Sequence, residues 1–142
     1  NFMLTRIDQE AMLARVREHL TDGGQFLFDT LIGRPDHMVS ELEETHWYTL
    51  THPNGRQIYA SGRGWYDYMQ QWYIQRCHEH WDSADGELVR PPWQLTLRYI
   101  MPQDLETLLH YNGFKVVARY SDYKGAPISQ EEPGYIYLCQ KR

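Results

Sequence analysis

A chain of 142 residues is long enough for one domain with its own core, and no stretch approaches the roughly 20 consecutive apolar residues that a membrane-spanning helix needs. Its net charge of −5 disfavours a phosphate backbone as a main partner. Neither nucleic acid nor membrane is therefore an expected partner.

Residues 8–30 read as a helix, a glycine stop and a short buried strand. Met12, Leu13, Val16 and Leu20 recur at three- and four-residue spacing and make one apolar stripe, with Glu10, Arg15, Arg17 and Glu18 mostly on the wet side. Asp8 is the predicted N-cap, because its carboxylate can accept from the free amides of the first turn, and Gly23 is the predicted left-handed stop. Phe26-Leu27-Phe28 is apolar without alternation, which predicts a strand covered on both faces, as in a parallel sheet. Asp29 and Thr30 close it with polar groups at the C-terminal edge, where open α/β sheets place their ligands.

Residues 31–40 form a loop marked by Gly33 and Pro35. From 41 to 100 the pattern changes to strands. Residues 44–51 favour β structure, Pro53-Asn54-Gly55 signals a hairpin, and residues 57–69 return, with a bulge expected at Gly62 or Gly64. Residues 71–81 form a third strand, with Trp72, Ile74, Arg76, His78 and His80 on one face and Tyr73, Gln75, Cys77, Glu79 and Trp81 on the other. After a turn at 82–86, residues 87–89 and 93–100 supply the last strands of an antiparallel meander, interrupted by Pro91-Pro92. Pro102 opens a helix whose apolar face is Leu105, Leu108 and Leu109 and which Gly113 ends; strands at 114–120 and 135–140 flank a loop with Gly125, Pro127 and Pro133.

The run His19-Leu20-Thr21-Asp22-Gly23-Gly24-Gln25-Phe26-Leu27-Phe28-Asp29-Thr30 resembles the fourth helix and fifth strand of class I S-adenosylmethionine-dependent methyltransferases, with Asp22 where that family often has proline. Residues 97–109, then Gly113-Phe114-Lys115-Val116-Val117 and Tyr120-Ser121-Asp122-Tyr123, are similar to the same family's last helix and penultimate strand. The resemblance covers nearly the whole chain. It implies an α/β fold (α+β for the chain alone): residues 1–40 and 101–142 as the C-terminal part of a Rossmann-like methyltransferase core, and residues 41–100 as an inserted antiparallel, substrate-covering sheet. The last two strands are then an antiparallel hairpin at the sheet edge. The resemblance also implies S-adenosylmethionine as cofactor. Yet the family's glycine-rich cofactor loop has no counterpart, since no Gly-x-Gly-x-Gly run occurs in this sequence. The chain is therefore expected to be the C-terminal portion of a longer methyltransferase, with Asn1 and Phe2 in the loop after the fourth strand, where they touch the cofactor.

Methyl transfer needs mainly an aligned acceptor, and a base only if the acceptor must lose a proton. Substrate-binding candidates are Asp29 at the strand end, Trp65, Tyr66 and Asp67 on the long meander strand, Gln71, and Arg98 before the last helix; Trp65 and Tyr66 point to opposite faces, so at most one lines a pocket. Arg98 read on its own is an ordinary salt-bridge partner. No catalytic base is identified.

Other chemistries find less in the residues. His78 and His80 share a strand face, as two ligands of one metal ion would, but Ala84 and Asp85 stand where a third, cupin-like glutamate belongs, so a solvated face without metal is expected. Ser61-Gly62 and Cys77-His78 lack the surroundings of a hydrolase nucleophile. Cys77 and Cys139 have no Cys-x-x-Cys spacing and read as free buried thiols. No basic-then-apolar leader opens the sequence, which points to the cytoplasm. Five Trp and eleven Tyr, many between Trp47 and Trp93, support an alternative from a different class: a non-catalytic small-ligand-binding or dimerisation module working through the aromatic meander, with a homodimer as its product.

Overall fold

The computed structural model describes residues 2–33, 35, 38–129 and 134–142. The chain divides into two compact units, Asn1–His37 with Arg98–Arg142, and Met38–Leu97. No helix among the described residues is long and apolar enough to cross a membrane.

In the first unit, helix α1 (Arg6–His19) begins at Thr5, not at Asp8. The Thr5 hydroxyl accepts from the Asp8 backbone N–H at 3.1 Å and donates to the Asp8 carboxylate at 2.6 Å. Asp8 thus stands at the third helical position, where its charge offsets the partial positive end of the helix. The helix also ends before Gly23. Leu20 leaves it in an extended conformation so that its side chain joins the core, and Gly23 (φ +69°) serves instead in the turn that Gly24 N–H closes on the Thr21 carbonyl at 2.9 Å.

Strand β1 (Gln25–Leu31) alternates, contrary to the expectation of cover on both faces. Phe26 and Phe28 stack at 4.9 Å beneath the helices, while Leu27 is 50% exposed on the other face. The run of apolar residues hides this alternation because the described residues leave Leu27 half uncovered.

Helix α2 (Pro102–Tyr111) starts as predicted at Pro102 and buries Leu105 and Leu109. Gly113 (φ +82°) turns the chain into β6 (Phe114–Tyr120), and β7 (Gly134–Lys141) completes a three-stranded sheet of order β1-β7-β6, antiparallel throughout. Leu13 of α1, Leu109 of α2, Phe114, Tyr137 and Cys139 are all but excluded from water and form its core.

The second unit is a four-stranded antiparallel meander of β2 (Glu41–Thr51), β3 (Gln57–Asp67), β4 (Trp72–Trp81) and β5 (Trp93–Arg98), whose last residue belongs to the first unit. The hairpin at Asn54-Gly55 forms as its turn chemistry predicts, with Gly55 at φ +88°. The predicted strand at 87–89 reduces to one bridge, Leu88 to His80, because Pro91 and Pro92 follow and cannot donate to a ladder.

The bulge expected at Gly62 or Gly64 lies instead on β2, between Glu41 and Thr45 and again between His46 and Tyr48; β3 pairs with β4 in unbroken register. The two glycines provide room. A Cβ on Gly62 would meet the Arg76 carbonyl and lie 2.7 Å from the Trp47 ring, and one on Gly64 would lie 2.7 Å from Tyr73 Cζ. Gly62→Ala should therefore destabilise the chain by about 1–3 kcal/mol, the cost of overpacking, read as a lower urea midpoint.

Candidate functional site

Both β1 and β6 run antiparallel to β7, so they are parallel to each other and their C-terminal ends share one edge of the sheet. This brings the loop after β6 to the end of β1, where Tyr123 comes near enough to Asp29 for the carboxylate's charge to act on its hydroxyl. Slight desolvation, and then the adjacent charge of Asp29, push the Tyr123 hydroxyl above its ordinary range. The loop is internally braced: Asp122 Oδ1 accepts from the N–H groups of Lys124 and Ala126 at 2.9 Å each, and Ser121 N–H donates to the Ala126 carbonyl at 2.9 Å. Tyr123 itself is 72% exposed.

Beside this pair, a cavity of about 250 Å³ opens between α1, α2 and β1. Its walls include Met12, Leu13, Phe26, Phe28, Leu105 and Leu109, and its polar residues are Gln9, Asp29 and Thr30. Gln9 is buried and donates to the Met3 carbonyl at 2.9 Å, which ties the segment before α1 to the cavity. Arg98 does the same at another point, with Nη1 donating to the Leu4 carbonyl at 3.0 Å. Phe2 is exposed in the same leading segment, and Asn1 lies outside the described residues.

Of the predicted site residues, Asp29 and Arg98 belong to the first unit and Trp65, Tyr66, Asp67 and Gln71 to the second. Trp65 and Tyr66 do face opposite ways, opposite Ile74 and Tyr73. Tyr66 is 6% exposed and meets the Tyr68 ring edge-on at 4.9 Å, so it is packed, whereas Trp65 is half-buried. Asp67 and Gln71 form the β3–β4 turn: Asp67 Oδ1 accepts from the N–H groups of Met69 and Gln70, and Gln71 has φ +58°.

Sequence reasoning missed two groupings. Tyr123 entered only as part of the resembling run Tyr120-Ser121-Asp122-Tyr123, with no role assigned, and its approach to Asp29 depends on strand order, which no local pattern encodes. In the second unit, the nearly buried Glu79 carboxylate accepts both Arg90 nitrogens at 2.8 and 2.9 Å and the Tyr48 hydroxyl at 3.2 Å. Burial and then Glu79 raise the Tyr48 hydroxyl above its ordinary range. With both oxygens satisfied, Glu79 pins the 88–92 segment to the sheet. Arg90→Leu, which strands the carboxylate, should lower the urea midpoint more than Arg90→Lys, which keeps a charge there.

Cys77 and Cys139 are free and buried, as predicted. Burial pushes the Cys139 thiol up to about 11, and burial followed by the charge of Glu79 moves Cys77 the same way. Neither is an activated nucleophile. No group of three or more His, Cys, Asp or Glu able to hold a metal ion occurs among the described residues. Thiol titration at pH 8 should label neither cysteine in the folded chain and both after unfolding. A folded thiol pKa above the unfolded value of roughly 8.5 also means that stability holds below that pH and declines as pH rises toward 11, measurable as a falling urea midpoint.

The helix-backed β1-β7-β6 sheet and the meander together match part of the fold of S-adenosylmethionine-dependent methyltransferases of known structure. No protein-family model and no curated protein matches the sequence. Among solved structures, an S-adenosylmethionine-dependent methyltransferase from Clostridium acetobutylicum aligns with 99% of this chain and 54% of its own at TM-score 0.77 and 13% identity. The CcbJ methyltransferase from Streptomyces caelestis aligns with 99% and 56% at TM-score 0.73 and 18% identity. CalS10, an amino pentose methyltransferase from Micromonospora echinaspora, aligns with 100% and 54% at TM-score 0.70 and 13% identity. The chain spans about half the length of each, and the resemblance read from residues 19–30 and 97–123 holds at the level of the fold.

Proposed function

We propose that this chain is the C-terminal part of a class I S-adenosylmethionine-dependent methyltransferase acting on a small-molecule acceptor. The observation that carries the reading is the fit of 99–100% of the chain onto about half of each of three methyltransferases. On this reading the unit of Asn1–His37 and Arg98–Arg142 is the end of the Rossmann-like core, and Met38–Leu97 is the acceptor-covering sheet.

The residues of this chain do not by themselves fit the cofactor. The cavity beside β1 offers only Gln9, Asp29 and Thr30 as polar lining, too few to satisfy an adenine, a ribose and an amino acid together. On this reading the glycine-rich loop that would hold S-adenosylmethionine belongs to a preceding part of the polypeptide, and Phe2, in the exposed leading segment, is the proposed contact from this side.

The chain's own contribution is to hold the acceptor. Asp29, at the end of β1, accepts from an acceptor N–H or O–H and stabilises positive charge that grows on the acceptor atom, with Tyr123 close by. Arg98 of the same unit sets a polar limit; Trp65 and Gln71, in the second unit, are proposed acceptor contacts in their own right. An amine on a sugar-like molecule suits this chemistry, and the amino pentose named for CalS10 is of that kind.

Isothermal titration of this chain with S-adenosylmethionine should show no micromolar binding; such binding would reveal a complete site within these 142 residues and remove the reason for a missing half. The reading frame upstream of the Asn1 codon should encode a glycine-rich strand-turn-helix, and a stop codon there would sink the proposal.

A further inference from the structure

In the meander, β3 and β4 are interior strands paired in unbroken register, and one of their faces is closed: Ala60, Tyr66, Cys77 and Glu79 are buried there. The other face carries, rung by rung toward the β3–β4 turn, Ser61 opposite His78, Arg63 opposite Arg76, and Trp65 opposite Ile74. Each of these two strands has both of its neighbours within Met38–Leu97, so the juxtaposition is set inside that unit.

Like charges directly opposite one another destabilise an antiparallel pair, and Arg63 and Arg76 stand in that relation, both exposed. The other two arginines of the unit each have a carboxylate, Arg56 with Asp82 at 2.6 Å and Arg90 with Glu79 at 2.8 Å. Arg63 and Arg76 form no side-chain ion pair or hydrogen bond among the described residues, although the chain holds 19 acidic residues against 14 Lys and Arg. Glu43 and Glu44 lie in the adjoining stretch of β2, between the Glu41↔Gly64 and Thr45↔Gly62 pairs, and Glu44 accepts from the Ser61 hydroxyl instead.

We propose that Arg63 and Arg76 together bind the carboxylate of a small molecule whose apolar body lies on Trp65 and Ile74. Paired strands hold the two side chains about 5 Å apart at Cβ, and each guanidinium presents a planar fork of donors that matches a carboxylate. A carboxylate between them replaces a repulsion with two attractions. The next rung on the same face lies roughly 7 Å along the strands, which puts the half-buried Trp65 and Ile74 within reach of the rest of the ligand. With Glu43 and Glu44 on the adjoining strand, a singly charged carboxylate suits the local charge better than a phosphate dianion. That the ligand is the methyl acceptor rests on the reading of Trp65 as an acceptor contact; the binding itself does not.

NMR titration of the 142-residue chain with hydrocinnamate tests it. Saturable shifts of the Arg63 and Arg76 side-chain N–H signals are expected, with a dissociation constant of about 1 mM or below, weakening as salt is added. Arg63→Gln and Arg76→Gln should each weaken binding by roughly ten-fold. Each should also raise the urea midpoint of the free chain, because one of two opposed like charges is gone. Arg56→Gln, which breaks the exposed pair with Asp82, should leave binding unchanged. Hydrocinnamide, the uncharged analogue, should not bind, and phenyl phosphate should bind no more tightly than hydrocinnamate. The proposal is overturned by absence of saturable binding, by equal binding of the amide, by tighter binding of phenyl phosphate, by binding indifferent to both glutamine variants, or by midpoints that fall in both. Titration with S-adenosylmethionine separates the two readings, since cofactor binding would remove the missing half and leave the carboxylate site standing.

Discussion

The antiparallel ladder through β7 is the constraint on which the first unit depends. Because β7 pairs with β1 on one side and β6 on the other, those two strands must run the same way, and everything that leaves their C-terminal ends gathers at one edge. Asp29 is there because β1 ends there, and Tyr123 because β6 does. On the opposite end of the ladder, the Lys141 ammonium donates to the Leu20 carbonyl at 2.8 Å, so β7 also ties down the exit of α1. The sheet therefore fixes the helix end and the polar edge in one hydrogen-bonded frame.

The second unit is held by a different device. Its strands carry large rings, and Gly62 and Gly64 form the floor on which Trp47 and Tyr73 lie. The hairpin ends are clipped by charge: Arg56 reaches Asp82 at 2.6 Å while lying 4.5 Å over the Trp81 ring. That pair is exposed, so its part is in aligning two turns more than in adding stability. Glu79 is different, since its carboxylate is nearly out of water and leaves no oxygen unpaired.

Much of the element order was legible because it rests on short-range rules. The stripe Met12, Leu13, Val16 and Leu20, the turn at Asn54-Gly55, Pro102 at a helix start and Gly113 at a helix end each involve residues a few positions apart, and each appears in the structure. The errors fall where two candidates of similar chemistry stand close together or where distant segments decide. Thr5 and Asp8 can both cap, and the residue with the extended backbone is the one that does. Leu27 reads like Phe26 and Phe28 until the cover on each face is known. Glycines in β3 suggested a bulge there, but they make room for the Trp47 and Tyr73 rings, and the irregularities lie on β2. The contacts Asp29–Tyr123 and Glu79–Arg90 join residues whose meeting depends on topology and loop path, and the sequence alone holds no signal for either.

The braced loop after β6 has a consequence for recognition. A solvent-facing aromatic side chain ordinarily forfeits both backbone and rotamer freedom when it engages a ligand, and that loss offsets the contact energy. Around Tyr123 the backbone share was surrendered during folding, to Asp122 and the Ser121–Ala126 closure. Chiefly the ring's own torsions are left to be restricted, so the tyrosine's backbone is preorganised while its ring stays mostly exposed.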